Sequence, residues 1–269
     1  MTSRIHASAV VEAGASLGEG VEIGPFCHIG AHVTLGDGAK LHSHVVVVGH
    51  TDVGARARIF PFASIGHEPQ DLKYRGEPTR LRIGADALIR EGVTMNPGTS
   101  GGEGETVIGA GCVFLANSHV AHDCRLGDGV LLSNNVMLAG HCRVDDHAIF
   151  GGGSAAHQFA RIGAHAFVGG LTGVTDDLIP FGVAIGNRAE LGGVNVVGMK
   201  RRGFSLEDVQ NVRRAYKALF AEDGTLKERV EQVAREYPDS VAVQTIVGFL
   251  REGGDRGVTT PRQRGDEPA

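Results

Sequence analysis

The sequence predicts a mainly β fold, a parallel β-helix of hexapeptide repeats followed by a small C-terminal α-helical domain. Three observations predict the β-helix: an aliphatic residue returns every sixth position, a small or β-branched residue stands two places before it, and glycine often follows it. A period of six fits neither an amphipathic helix nor strand alternation, but it is typical of solenoids whose coils stack. The aliphatic positions are Ile5, Val11, Leu17, Ile23, Ile29, Leu35, Leu41, Val47, Val53, Ile59 and Ile65, then Ile83, Ile89 and Met95, and again from Ile108 to Val174.

Three hexads make one triangular coil of about 18 residues, so successive coils lie ~4.8 Å apart, the usual spacing of neighbouring strands. In each hexad the aliphatic and small residues point inward. The glycine is expected at a corner, where a positive φ favours it. The period alone does not decide the handedness of the solenoid, which is predicted to span residues 1–190.

Two segments interrupt the period, at residues 66–82 and 97–107; the first leaves and rejoins in the same frame, and after the second the period restarts at Ile108. They are predicted to be loops that leave the solenoid at a corner. Such loops are either tolerated insertions or binding elements. The dense and varied polar groups of the first loop favour a function, whereas the glycine-rich second loop is compatible with both interpretations.

The C-terminal part is predicted to be helical over residues 191–251. Ser205 with Asp208 and Thr225 with Glu228 have the spacing of capping boxes, each followed by an apolar stripe, and a third helix is expected over 239–251. These helices could cover the open end of the solenoid, where strand edges would otherwise be unpaired. Residues 252–269 are rich in glycine, arginine and aspartate and are predicted to be disordered.

Composition limits the function. The net charge of −5 gives no support to generic nucleic-acid binding. The N-terminus lacks the apolar stretch of a signal peptide and no run is long enough to span a membrane, so we expect a cytoplasmic protein without membrane insertion. Cys124 and Cys142 are expected to stack on adjacent coils. A disulfide between them is one interpretation, but a reducing cytosol favours buried thiols.

Histidines cluster in the middle of the chain. The spacings between His122, His141 and His157 are close to the coil length of about 18 residues, so these histidines are predicted to lie on successive coils along one face of the solenoid. His119 lies half a hexad before His122. They could form a polar surface stripe, supply a general base, or bind zinc. By contrast, His147 and His165 are expected to form a solvated stack.

A basic cluster, Lys200-Arg201-Arg202, lies between the solenoid and the first predicted helix. A basic run is usually a solvated face, but arginine also suits diphosphates and acidic partners.

These features combine with an ordered set of motifs that resembles the acyl-ACP–UDP-N-acetylglucosamine O-acyltransferases, which catalyse the first step of lipid A synthesis. The similarity covers nearly the whole chain before the tail. Single hexads are unspecific, whereas the ordered combination is highly specific. The motifs are QDLKY (70–74), GEPTR (76–80), HVAHDC (119–124), NN (134–135), LAGH (138–141), VDD (144–146), HQF (157–159), GN (186–187) and GMKRRGF (198–204).

The resemblance implies a left-handed β-helix and a homotrimer with active sites between subunits. It implies transfer of an (R)-3-hydroxyacyl group from acyl carrier protein to the 3-hydroxyl of UDP-N-acetylglucosamine, without metal or organic cofactor. His122 matches the general base, Asp123 the acid that orients it, and the Gly140 N–H an oxyanion donor. Neighbouring strand residues point to opposite faces, so the His–Asp pairing requires a corner or a distorted backbone.

The resemblance also implies a set of substrate contacts. Those near the sugar or acyl chain are Gln70, Asp71, Lys73, His119, His141, His157 and Gln158; Asn195, Arg201 and Arg202 match nucleotide and carrier contacts; and Gly170 matches a position that limits acyl length.

The chain departs from the family pattern at three positions. Asn96 and Arg188 stand where the family has histidine, and Val197 stands where it has glutamate. A 3-amino sugar acceptor is therefore an open alternative to the 3-hydroxyl. Three rival functions are compatible with the repeat. The first is an N-acyltransferase of the same pathway, which is disfavoured because such enzymes carry an extra domain before their hexads, whereas here the hexads begin at Ile5. The others are a γ-carbonic anhydrase type of zinc enzyme and a non-catalytic binding solenoid.

Overall fold

The computed structural model describes residues 2–262 of the chain, in which short strands precede four helices. The strands are β1 Arg4–Ile5, β2 Val10–Val11, β3 Ser16–Leu17, β4 Glu22–Ile23, β5 His28–Ile29, β6 Thr34–Leu35, β7 Lys40–Leu41, β8 Val46–Val47, β9 His50–Val53, β10 Arg58–Ile59, β11 Ser64–Ile65, β12 Arg80–Ile83, β13 Leu88–Ile89, β14 Thr94–Met95, β15 Glu105–Ile108, β16 Val113–Phe114, β17 His119–Val120, β18 Arg125–Leu126, β19 Leu131–Leu132, β20 Met137–Leu138, β21 Arg143–Val144, β22 Ile149–Phe150, β23 Ala155–Ala156, β24 Arg161–Ile162, β25 Phe167–Val168, β26 Gly173–Val174, β27 Gly182–Ile185 and β28 Glu190–Val194. The helices are α1 Val196–Arg201, α2 Leu206–Leu219, α3 Leu226–Glu236 and α4 Val241–Glu252.

Every third strand joins the same sheet, which confirms the predicted triangular coil. Sheet 1 runs β1-β4-β7 and onward to β27 and β28, sheet 2 runs from β2 to β26, and sheet 3 runs from β3 to β24. Neighbouring strands are parallel, and the register pairs residues one coil apart, such as Ile5 with Ile23 and Leu132 with Phe150. The terminal pair, β27 with β28, is antiparallel and ends the solenoid.

The interior is filled by the two inward positions of each hexad, as predicted. Ile29, Ile59 and Leu132 at the aliphatic position are fully buried, as is Ala39 at the small position. The four cysteines occupy small inward positions and are buried free thiols.

The repeated glycine serves a different purpose from the one expected. A Cβ on Gly36 would lie 2.6 Å from the backbone nitrogen of Ala55, and one on Gly54 would lie 2.5 Å from that of Ala85. Stacked corners therefore approach too closely for a side chain at this position. The positive φ falls two residues later, where Gly38 has it, but so do non-glycine residues such as His44.

Both loops leave from the same edge of the prism. The segment between β11 and β12 and the segment between β14 and β15 each connect sheet 2 to sheet 3. We call this edge the second corner; it also carries the turn at residues 121–124 between β17 and β18. The two interruptions of the period thus meet the histidine cluster at one place.

The helices follow the capping signals. Ser205 and Asp208 form a reciprocal capping box at the start of α2, and Thr225 and Glu228 form one at the start of α3. The third predicted helix is α4, capped by Ser240. The short α1 was not predicted.

Residues 253–262 differ from the disordered tail that was expected. Val258 forms a parallel bridge with Asp177, and Thr259 is buried at 3% exposure. The charged composition was misleading because this segment is held through backbone hydrogen bonds to the solenoid. Residues 263–269, the rest of the predicted tail, lie outside the described part of the chain.

Candidate active site

The second corner brings His122 and Asp123 into contact. His122 Nδ1 lies 2.8 Å from Asp123 Oδ2, and the two residues are 8% and 3% exposed. Neighbouring side chains can meet because Asp123 has a φ of 59°, which breaks the strand alternation at the turn. The Asp123 N–H donates to Thr106 Oγ1 at 2.8 Å, which fixes this left-handed backbone.

The second loop holds the Asp123 carboxylate. The backbone N–H and the hydroxyl of Thr99 donate to it at 3.0 and 2.7 Å, and the Glu103 N–H donates at 3.0 Å. Burial disfavours the ionised form, but hydrogen bonds from His122 and Thr99 outweigh burial and hold the pKa of Asp123 below its usual value. An ionised carboxylate only accepts, so the neutral form of His122 carries its proton on Nδ1 and presents a lone pair at Nε2.

Gly140 and His141 lie one coil above the His–Asp pair. A Cβ on Gly140 would lie 2.7 Å from His122 Nε2, so the glycine leaves the space that the imidazole occupies. The His141 ring meets the His122 ring edge-on at 5.0 Å, and its Nε2 lies 3.9 Å from Asp123 Oδ2. Phe159, one coil further, stacks on His141 at 4.5 Å.

His119 lies on sheet 2 beside this corner. Thr94 Oγ1 and His119 Nδ1 are 2.7 Å apart. Burial, assisted by the nearby His122, lowers the pKa of His119, so this imidazole favours its neutral form. His157 and Gln158 are exposed on the turn that also carries Phe159.

The side chains of the first loop are less constrained. Gln70 and Lys73 are exposed, and Asp71 accepts a hydrogen bond from the Lys73 N–H at 3.0 Å. Among residues 2–262, no hydrogen bond or ion pair joins these three to the His–Asp pair. The base of the loop is fixed by Asn96, which is 5% exposed and donates to the carbonyls at positions 67 and 68.

The C-terminal candidates lie at another corner. Asn195 caps α1 by accepting from the Gly198 N–H at 2.9 Å. Arg201 and Arg202 line a cavity of about 1010 Å³ between the solenoid and the helices. Gly170 lies at a third corner, between sheets 1 and 2. In the part of the chain that the structure describes, no hydrogen bond or ion pair connects these four residues to the His–Asp pair.

The stack of His147 and His165 is half-buried and not the fully solvated stack that was expected. The rings are 5.1 Å apart, line the cavity of Arg201, and each has a buried Nδ1. His165 also stacks on Phe181. The expectation was wrong because the helical region, whose placement the period cannot predict, covers this corner.

The cluster also contains residue types that can bind a metal ion. One potential ligand atom from each of His122, Asp123 and His141 lies within 4.8 Å of the others, a grouping found within the described residues. However, Asp123 already accepts from Thr99, Glu103 and His122, so a cation would compete with several hydrogen-bond donors. The donor set fits a hydrogen-bonded His–Asp pair better than a zinc site.

Sequence reasoning did not identify the residues that hold Asp123. Thr99, Glu103 and Thr106 lie in or at the end of the second loop, whose function was left open. The available signal was positional: both loops replace the same turn of the coil, and the His122 turn occupies that place one coil after the second loop and two coils after the first.

The parallel coils built from six-residue repeats place the chain among the hexapeptide-repeat proteins. A family model described as bacterial transferase hexapeptide (six repeats) matches residues 2–37, 14–49 and 105–140, and one described as UDP-N-acetylglucosamine O-acyltransferase, domain 2, matches residues 177–259.

Relatives extend the match over nearly the whole chain. An acyl-[acyl-carrier-protein]–UDP-N-acetylglucosamine O-acyltransferase of Methylobacterium radiotolerans is 66% identical over 77% of this chain and 76% of its own length, and that of Rhizobium johnstonii is 50% identical over 97% and 96%. The structure of LpxA from Acinetobacter baumannii is 41% identical, with a TM-score of 0.92 over 95% of this chain and 99% of that one. The chain therefore belongs to the UDP-N-acetylglucosamine O-acyltransferase family and is an acyltransferase.

No helix among residues 2–262 is long and apolar enough to cross a membrane.

Proposed function

We propose that this protein transfers an (R)-3-hydroxyacyl group from acyl carrier protein to the 3-position of UDP-N-acetylglucosamine, the first step of lipid A synthesis. The printed names of the relatives support the acyl donor and the nucleotide-sugar acceptor. The observation that carries the mechanism is the buried His122–Asp123 pair with its Nε2 lone pair available. We place the reaction in the cytoplasm.

In this mechanism His122 is the general base. Its Nε2 takes the proton of the sugar 3-hydroxyl as that oxygen attacks the thioester carbonyl, and the imidazolium that forms is stabilised by Asp123. Collapse of the tetrahedral intermediate expels the carrier thiolate, which recovers a proton from His122. The Gly140 N–H, for which no acceptor exists within the described chain, would stabilise the oxyanion.

We assign the remaining groups to substrate binding. Residues that surround or face the second corner would contact sugar and acyl chain, and the arginines would contact the nucleotide or carrier phosphate. The first set is Gln70, Asp71, Lys73, His119, His141, His157 and Gln158, and the second is Asn195, Arg201 and Arg202, with Gly170 limiting acyl length.

The separation of these groups within one chain supports a homotrimer with shared sites. Sheet 2 carries no lysine, arginine, aspartate or glutamate on its outer face, whereas sheet 3 presents a row of charged residues. Such an uncharged face beside the His–Asp pair suits contact with a second copy. The outer positions of sheet 2 are Val10, His28, Val46, Ser64, Thr94, His119, Met137, Ala155 and Gly173.

The test is steady-state acyl transfer by purified protein. We expect His122→Ala to lower kcat by a factor of about 10² or more, as loss of a general base does, while the mass of the assembly in solution stays unchanged. His6→Ala, an exposed histidine far from the second corner in sequence, is the matched control. Near-normal turnover by His122→Ala would remove this residue from the mechanism.

The acceptor is tested separately, because Asn96 replaces a family histidine. Its amide anchors the first loop, and its Oδ1 is buried without a partner in the part of the chain described. Mass spectrometry of the product, with mixed 3-hydroxyacyl carriers and with the 3-hydroxyl and 3-amino nucleotide sugars in competition, identifies both chain length and acceptor. An amide product in preference to an ester would correct the proposed acceptor.

A further inference from the structure

The segment at residues 253–262, here called the C-terminal strap, runs from the end of α4 back along the solenoid. Two backbone hydrogen bonds fix it on Asp177: the Asp177 N–H donates to the Gly257 carbonyl at 2.7 Å, and the Thr259 N–H donates to the Asp177 carbonyl at 2.8 Å. The Leu191 N–H donates to the Thr260 carbonyl at 2.9 Å. The strap is therefore held at several points.

A buried ion pair defines the path of the strap. Arg161 Nε donates to Asp177 Oδ2 at 2.8 Å, and the Arg161 N–H donates to Oδ1 at 2.9 Å. The strap crosses this pair at Gly254, where a Cβ would lie 2.5 Å from Asp177 Oδ2 and 2.6 Å from Arg161 Nε. The close crossing at Gly254 and the anchor at Gly257 leave Arg256 a narrow range of positions.

Arg256 contacts the turn at His157 and Gln158. Its Nε donates to the Gln158 carbonyl at 3.0 Å, and its Nη2 meets His157 Nδ1. A guanidinium has no acceptor, so Nδ1 must present its lone pair. The ring proton of neutral His157 then lies on Nε2. The Gln158 carbonyl also lies 3.3 Å from His157 Nδ1. This carbonyl already accepts a hydrogen bond from Arg256 Nε at 3.0 Å, so it does not require a proton on Nδ1.

This turn is packed against the active site. The Phe159 N–H donates to the Gly140 carbonyl at 3.2 Å, and the Phe159 ring stacks on His141, which lies edge-on to His122. An arginine on the strap is therefore joined through one turn to the coil of Gly140 and His141, which packs against His122.

We propose that Arg256 is a positioning residue that fixes His157 as an Nε2–H donor toward an oxygen of the nucleotide-sugar acceptor. The proposal rests on the proposed function, because it takes the substrate contact of His157 from there. Arg256 acts through His157 and touches no reacting atom. Loss of the guanidinium frees the ring to rotate and to change tautomer, which weakens binding of the acceptor more than it slows chemistry.

The test is a double-mutant cycle of Arg256→Ala and His157→Ala, with KM for the acceptor and kcat measured separately. We expect Arg256→Ala to raise KM about tenfold with a smaller change in kcat, as loss of a charge-assisted contact does. In the His157→Ala background the same change should have no further effect. Guanidinium ion added to Arg256→Ala, and the conservative Arg256→Lys, should each restore part of the affinity.

The matched control is Arg251→Ala, which removes an exposed ion pair with Glu231 in the same region and should leave KM unchanged. Unchanged KM in Arg256→Ala, or an equal loss in the His157→Ala background, would overturn the proposal. If Arg256→Ala is unstable, the cycle is run with Arg256→Lys.

The tautomer can be measured without substrate. The ¹⁵N shifts of His157, assigned by difference from His157→Ala, should report Nε2–H in the parent protein and a mixture in Arg256→Ala. A mixture already present in the parent would refute the role of Arg256. A pure Nε2–H form in a protein that transfers no acyl group would instead refute the proposed function alone.

Discussion

Gly140→Ala is expected to disable the enzyme without unfolding it. The φ of Gly140 lies outside the left-handed region, so alanine is compatible with the backbone. Its Cβ, however, would lie 2.6 Å from Cε1 and 2.7 Å from Nε2 of His122, where ordinary contacts begin at 3.4 Å. The imidazole must therefore retreat by nearly 1 Å, and a displacement of that size costs about 10² in rate. Asp123 and the second loop resist the movement, because they hold Nδ1.

The assay is acyl transfer under saturating substrates, with thermal unfolding measured on the same sample. We expect kcat to fall about 10²-fold while the unfolding midpoint moves little, since the crowded imidazole lies at the second corner and outside the hydrophobic core. The 140 N–H is retained, so the loss would reflect the displaced ring and not the oxyanion donor. Gly248→Ala, where no atom lies within 4 Å of the added Cβ, is the control. A Gly140→Ala enzyme with parental kcat would refute the reasoning that places the working imidazole against this glycine.

Two further predictions concern stability. Burial, with the charges of His147 and Arg202, lowers the pKa of His165 from 6.5 to about 4. The contribution of this group to the free energy of unfolding is therefore fully present above about pH 6.5 and is lost as the pH falls toward 4; it is at most ~3 kcal/mol, and less after solvent screening. His165→Phe should flatten the pH dependence of urea unfolding in that range. Arg161→Met leaves Asp177, which is 0% exposed, without its partner, so unfolding in denaturant should become easier by about 3–5 kcal/mol, and a change below ~1 kcal/mol would contradict the ion-pair argument.

The solenoid could be predicted because each hexad repeats one local rule. Two inward positions bury the same kinds of side chain on every coil, so Ile29 and Leu132 obey the pattern equally despite their distance in sequence. The capping boxes at Ser205 and Thr225 are equally local. The handedness and the role of the repeated glycine are not local. The glycine at position 36 is required by the neighbouring coil at Ala55, an interaction that a one-dimensional pattern does not contain.

The candidate site was predictable in part for the same reason. The spacing of His122 and His141 placed them on adjacent coils, and their rings are in contact. The partners that hold Asp123 come from a loop with no period, so spacing could not relate Thr99 to a residue 24 positions later. The strap was wrongly predicted to be disordered because it is bound to Asp177 through backbone hydrogen bonds, which side-chain composition does not indicate.

The site lies where the repeat is broken, and the energetics explain why. At a regular corner, one residue has a positive φ and its side chain points outward. A polar side chain at such a position is solvated and has no fixed orientation. At Asp123 the second loop covers the corner, so that the carboxylate is buried and every donor that reaches it has a fixed position. Burial alone would favour the protonated acid, and the donors reverse that preference. The ionised carboxylate then requires the proton of His122 on Nδ1, which leaves Nε2 as the lone pair facing Gly140. The rigid coils supply the position of the imidazole, and the irregular loop, through Asp123, selects the tautomer of its neutral form.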